Sequence, residues 1–178
     1  MRRSLFSLLT VLGLLAALHA WIGWQLLPAL TTHAGWITLG AAVLLLSFLA
    51  MPVALAVPYL KRRGLSETAA DRIAWAGMLA MGAFSSALLL TLLRALSLAA
   101  LPWLHLPAIQ QHEMVELSAW LVLALTAAAT VIGYLNARRT AAVVEVSVPI
   151  ANLPAALEGF TIVQISDIHI GPTIRGDY

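Results

Sequence analysis

Residues 4–60 read SLFSLLTVLGLLAALHAWIGWQLLPALTTHAGWITLGAAVLLLSFLAMPVALAVPYL and contain no Asp, Glu, Lys or Arg. A spanning helix needs roughly 20 apolar residues to cross about 30 Å of hydrocarbon, so the stretch is long enough for two crossings. Its break falls at Pro28 to Gly35, where Pro28, Thr31, Thr32, His33 and Gly35 supply turn chemistry and polarity. Spans are therefore expected at about residues 5–27 and 36–60. A third is expected after Arg72, at about 73–101. Pro102 and Pro107 then bracket a short polar loop holding Gln110, Gln111, His112, Glu113 and Glu116, and a fourth span runs over about 117–137.

Composition agrees with a membrane protein. Of the 178 residues, 61% are hydrophobic and 10% charged, against about a quarter charged in soluble domains. The absence of cysteine excludes disulfide frameworks, Cys-ligated metal sites and thiol catalysis. Ten Lys and Arg give a net charge of +2, but they are spread along the chain and form no basic stripe that would track nucleic acid. No nucleic-acid partner is expected; the lipid bilayer is.

Orientation follows from the short loops, because Lys and Arg favour the cytoplasmic side. Arg2 and Arg3 precede the first span, Lys61, Arg62, Arg63 and Arg72 join the second and third, and Arg138 and Arg139 follow the fourth. The two remaining loops carry none, so both termini are expected in the cytoplasm, at a bacterial inner membrane. Trp21, Trp24, Trp36, Trp103 and Trp120 fall towards the outer face, and Tyr59, Trp75 and Tyr134 towards the inner one, as interfacial belts require. Arg2-Arg3, the apolar run to Leu18 and the small Ala20 also have the outline of a cleaved signal peptide; the apolar run continuing past Ala20 argues for a span.

Arg94 is the one charge inside a span. Its place seven residues before Leu101 suggests a side chain that snorkels to the outer headgroups. His19, near Trp21 and Trp24, is expected at the interface. Gly13 and Ala17, four residues apart, offer a surface for close helix approach. The run His112-Glu113-Met114-Val115-Glu116 begins like a zinc-protease helix but lacks the second histidine, and is expected to be a solvated loop.

The pattern changes after Arg138. Val144, Val146 and Val148 alternate with Glu145 and Ser147, the period of a half-buried strand. Pro149, Pro154 and Leu157-Glu158-Gly159 read as connection and turn, and residues 160–166 as a second strand. That strand delivers Asp167 and His169, two residues apart, into a loop. One carboxylate and one imidazole aimed at a common point suit manganese, iron, zinc or nickel; a bare Asp-x-His is equally a turn cap beside a loop histidine.

In its context, Ile162-Val163-Gln164-Ile165-Ser166-Asp167-Ile168-His169-Ile170-Gly171-Pro172 resembles the opening of calcineurin-like metallophosphoesterases, where a buried strand leads into Ser-Asp-x-His-x-Gly. Leu153-Pro154 and Leu157-Glu158-Gly159-Phe160 are similar to the lead-in of membrane-attached members. The specific likeness covers about residues 149–178. It implies two divalent metal ions that bind a phosphate ester and activate water for attack on phosphorus, with Asp167 and His169 as ligands of the first metal. The family's Gly-Asp-x-x-Asp, Gly-Asn-His and Gly-His-x-His motifs do not occur in the 178 residues.

The expected fold is thus an all-α membrane bundle of four transmembrane helices over residues 1–140. It is followed over 141–178 by the first strands of an α/β metallophosphoesterase domain, a β-sandwich flanked by helices, incomplete here. Two ligands cannot hold a metal pair, so the chain alone is expected to be inactive and to be the amino-terminal part of a longer phosphoesterase or a truncated gene product. Nearness to the bilayer makes lipid-linked phosphate esters plausible substrates. The alternative is a non-enzymatic four-helix membrane protein, structural or transporting, with an incidental tail.

Overall fold

A computed structural model describes residues 2–30, 34–105, 107–139, 142–157 and 159–165. The chain divides into two units, Met1–Ala137 and Arg138–Tyr178, each described by itself.

The first unit is helical. Its elements are α1 (Arg2–Leu26) with a 3-10 turn at Leu27–Ala29, α2 (Ala34–Leu55), α3 (Val57–Arg62), α4 (Glu67–Ala99) with a 3-10 turn at Leu101–Leu104, and α5 (Ala108–Ala137). Four of the helices are long and apolar enough to cross a membrane, as the sequence indicated. Their outward faces carry large apolar side chains such as Leu46, Leu92 and Ile132, a distribution that suits hydrocarbon and not water.

Helix boundaries differ from the expected spans for local reasons. The second span, expected to run to residue 60, breaks at Ala56. Pro58, in the first turn of α3, has no N–H to continue the α2 ladder, whereas it fits the start of a new helix. The third begins at Glu67 and not at 73. Ser66, in an extended conformation, accepts the Ala69 N–H at 3.3 Å, and such a cap starts a helix wherever it falls, in hydrocarbon or in headgroups. The expected polar loop at 110–116 is not a loop. It forms the first turns of α5, where His112 and Glu113 are exposed. A 33-residue helix such as α4 is about 50 Å long at 1.5 Å per residue. Both α4 and α5 outreach the hydrocarbon and carry polar residues beyond it.

Packing centres on α4, which touches α1, α2, α3 and α5. Against α2 the approach is closest at Gly77. A Cβ there would collide with the Ala54 side chain and lie 3.0 Å from the Ala50 carbonyl. Ala50, Ala54 and Gly77 form the small-residue contact that lets two backbones meet in a membrane. Gly13 does not: a Cβ there would meet nothing within 4 Å. A second cluster joins Ile22, Leu26 and Leu30 to Ala119 and Val122 of α5, with Phe84 and Leu88 of α4 against it.

Aromatic pairs mark two levels. Trp36 and Trp120 meet edge to face at 5.3 Å, and Trp75 and Tyr134 at 5.8 Å. Trp120 and Tyr134 are both on α5, about 21 Å apart along its axis by helical rise.

In the second unit, the expected strands over 144–148 and 160–166 are not formed among the described residues. Residues 142–150 and 160–165 pair with no ladder, and the regular element present is the 3-10 turn Ala155–Leu157. A strand exists through its partner, and two short segments do not close a sheet that would hold them.

Gly77→Leu is expected to push α2 from α4 and cost about 1–3 kcal/mol, the usual penalty of overpacking. Gly82→Ala, into open space, should leave unfolding in detergent unchanged; equal stability of both variants would contradict the close contact.

Candidate functional site

Two polar centres lie among the spans, and neither is where the sequence pattern suggested. Arg94 does not snorkel. It is 6% exposed, and its guanidinium faces the neighbouring helices. Nε donates to Ser118 Oγ, Nη1 to the Gln25 carbonyl and Nη2 to the Val115 carbonyl, each at 2.9 Å. Gln25 stands in the last turn of α1, where carbonyls have no intrahelical donor and the helix dipole is negative. A cation there satisfies an orphan acceptor and meets favourable charge. Ser118 donates in turn to the Val115 carbonyl at 3.0 Å. One side chain of α4 therefore ties the end of α1 to α5, and all three acceptors are neutral.

His19 is not interfacial either. It is 5% exposed and stacks on Phe84, with centroids 4.2 Å apart and planes 12° from parallel, while Phe48 meets it edge-on at 5.8 Å. Nδ1 lies 2.8 Å from the Leu15 carbonyl, so Nδ1 carries the hydrogen. Nε2 lies 3.2 Å from Ser47 Oγ. The imidazole thus cross-links α1 to α2 through hydrogen bonds that a neutral ring satisfies.

Four other hydroxyls of the spans bond locally: Thr10, Ser85, Ser97 and Thr130 each donate to a carbonyl of their own helix at 2.8–2.9 Å. The buried Thr91 and Thr126 hydroxyls make no such bond.

Past the spans, the approach to the Asp-x-His motif takes a defined course. The Leu157 N–H donates to the Pro154 carbonyl at 2.8 Å, and Phe160 N–H to the Leu157 carbonyl at 3.1 Å. Asn152 and Gly159 adopt positive φ, 61° and 79°, the backbone of two reversals. The turn expected at residues 157–159 is present at this place. Residues 160–165 follow without regular secondary structure. Asp167 and His169 lie outside the described residues, and among the described ones no group of three or more His, Asp and Glu is arranged to hold a metal. That includes His112, Glu113 and Glu116.

Comparison with known proteins adds an independent observation. The chain is 44% identical over 54 residues to a transmembrane protein with metallophosphoesterase domain from Danio rerio, and 43% identical over 54 residues to one from Bos taurus. The likeness is to transmembrane proteins that carry a metallophosphoesterase domain. Each match takes 30% of this chain, and the chain spans 12% of the length of each relative. Both relatives come from vertebrates, which lends the expected bacterial inner membrane no support. No protein-family model and no solved structure matches the chain.

Arg94→Lys keeps the charge but loses the planar fork that reaches three acceptors. With interhelical hydrogen bonds in membranes worth about 0.6–1.7 kcal/mol each, losing two should destabilise the bundle by roughly 1–3 kcal/mol. Arg94→Met should cost less, because it also removes the buried charge. A lysine variant as stable as the parent in an SDS-unfolding titration would show that the fork is not what joins the helices.

Proposed function

We propose that the chain is the membrane-anchored part of a metal-dependent phosphoesterase, with the spans as anchor and Asp167 and His169 as two ligands of its metal centre. The observation that carries this reading is the match to transmembrane proteins with a metallophosphoesterase domain, joined to a Ser166-Asp167-Ile168-His169-Ile170-Gly171 sequence of the form such enzymes use. Neither a four-span architecture nor an Asp-x-His alone would distinguish an esterase from other membrane proteins.

The donor types fit. A carboxylate oxygen and an imidazole nitrogen are ligands for divalent manganese, iron, zinc or nickel. A bound metal pair supplies a water of lowered pKa and Lewis-acid contact with the phosphoryl oxygens. Metals of this kind want four to six donors each, more than Asp167 and His169 supply between them. The polar side chains of the spans support the anchor role: Arg94 and His19 bond helix to helix.

In the proposed topology both termini are cytoplasmic. Lys61, Arg62, Arg63 and Arg72 lie at the α3–α4 end of the bundle and Arg138 and Arg139 directly follow α5, with no Lys or Arg in the two opposite loops. The metal centre then faces the cytoplasm next to the bilayer, and phosphate esters carried on lipids are its proposed substrates.

In a complete protein containing these residues, Asp167→Asn and His169→Ala should each lower bound metal and phosphodiesterase turnover by more than about 100-fold, beyond what loss of an outer-shell partner costs. Metal content equal to that of the parent would remove both residues from the centre. A reporter fused after Arg139 should be active on the cytoplasmic side; activity on the other side would reverse the topology without touching the metal assignment.

A further inference from the structure

Between α4 and α5, at the end of the bundle where the chain leaves the spans, lies a groove of about 350 Å³. Gly82 and Ser86 of α4 face Ala129 and Gly133 of α5 across it, and Met78 and Leu79 add apolar wall. Small residues on both helices normally bring backbones together. Here they do not: a Cβ on Gly82 or on Gly133 would meet nothing within 4 Å. The helices stand apart where their sequences would let them touch.

Most of the wall is apolar, and two of its hydroxyls are turned from the groove. Ser85 donates to the Gly82 carbonyl at 2.9 Å and Thr130 to the Thr126 carbonyl at 2.8 Å, which turns both hydroxyl hydrogens to their own helices. The groove thus suits hydrocarbon better than a polar solute. A groove this narrow, with mostly apolar walls and open to the lipid side, offers a slot for a thin apolar chain. An extended chain fits.

The mouth is built differently. Trp75 and Tyr134 line that end and meet edge to face at 5.8 Å, a pairing of the kind that sits at headgroup level. Arg72 is exposed and lies one turn before Trp75 on the face that continues through Leu79, Gly82 and Ser86, spaced by three and four residues. Glu67, the acid in the first turn of α4, is held by Lys61 at 2.6 Å. A planar guanidinium at this level matches a phosphate.

We propose that the α4–α5 groove seats one hydrocarbon chain of a phosphate-bearing lipid, with Trp75 and Tyr134 at the glycerol level and Arg72 on the phosphate. The site stands on this geometry and not on the phosphoesterase reading, so either can fail alone.

The test uses the protein in phosphatidylcholine nanodiscs containing phosphatidylglycerol with a photoactivatable diazirine near the end of one acyl chain. Labelling should concentrate on residues 78–86 and 129–137, above lipid-facing residues outside any groove, such as Leu89, Leu92, Leu93 and Leu96. Gly82→Leu with Gly133→Leu fills the groove and should abolish the excess; both positions have room, so the helices remain, and circular dichroism checks this. Gly13→Leu, at an open position outside the groove, should label like the parent. Arg72→Gln should reduce labelling by phosphatidylglycerol to that of the matching diacylglycerol probe, which has no phosphate. Labelling spread evenly over lipid-facing segments, or unchanged in the filled variant, overturns the site. Equal labelling of the parent by both probes overturns the phosphate contact. Should the filled variant not fold, excess unlabelled phosphatidylglycerol must displace the label from the parent, and failure to do so counts against the site. Gly82→Cys, in a chain otherwise free of cysteine, reports the competing occupant: an efficient disulfide between two copies would place a second chain in the groove and overturn the lipid assignment.

Discussion

A guanidinium inside a bilayer must find its hydrogen-bond acceptors in protein, because the surrounding hydrocarbon offers none. Arg94 finds three, on two helices other than its own. The arrangement of the spans follows from that requirement. The end of α1, with a carbonyl that no helical N–H can reach, is brought to α4; α5 is brought to the same point by Ser118 and Val115. The apolar cluster of Ile22, Leu26, Leu30, Ala119 and Val122 closes around the ends so joined. Dispersion alone would hold helices of this composition weakly and in several registers, since lipid tails compete on equal terms. A directional contact selects one register. His19 does the same between α1 and α2, with Phe84 stacked beneath its ring.

The bundle and the segment after it differ in what each can do by itself. Helices satisfy their own backbone, so α1 to α5 form from their own sequence. The segment of residues 142–165 contains strand-like patterning that needs neighbours to become a sheet, and among the described residues it is held by turns at 152 and 154–160. A metal centre is more demanding still, since its ligands come from distant parts of a chain.

The number of spans and the kind of environment could be read from the sequence because they depend on composition over windows of twenty residues, a property that tertiary contacts do not alter. Helix ends were harder to read. Ser66 and Pro58 act through local backbone chemistry, which a count of charges per window passes over, and so α4 begins six residues before the expected span. The misreading of Arg94 has a different origin. Seven residues from a helix end is within reach of the headgroups, and nothing local distinguishes a side chain that snorkels from one that turns towards Gln25, 69 residues earlier. Close packing at Gly77 was likewise invisible, because its partners Ala50 and Ala54 are set by how α2 and α4 cross. The Asp-x-His motif at 166–171 was legible as a pattern, while the partners that a metal centre would need are not part of that pattern.

The Arg94 contact also has a temporal meaning. Gln25 is made early and Arg94 sixty-nine residues later, so the Gln25 carbonyl exists long before this donor. Until then another donor, such as water, has to meet it. The bond that joins α1 to α4 and α5 is thus one that only the later spans can complete.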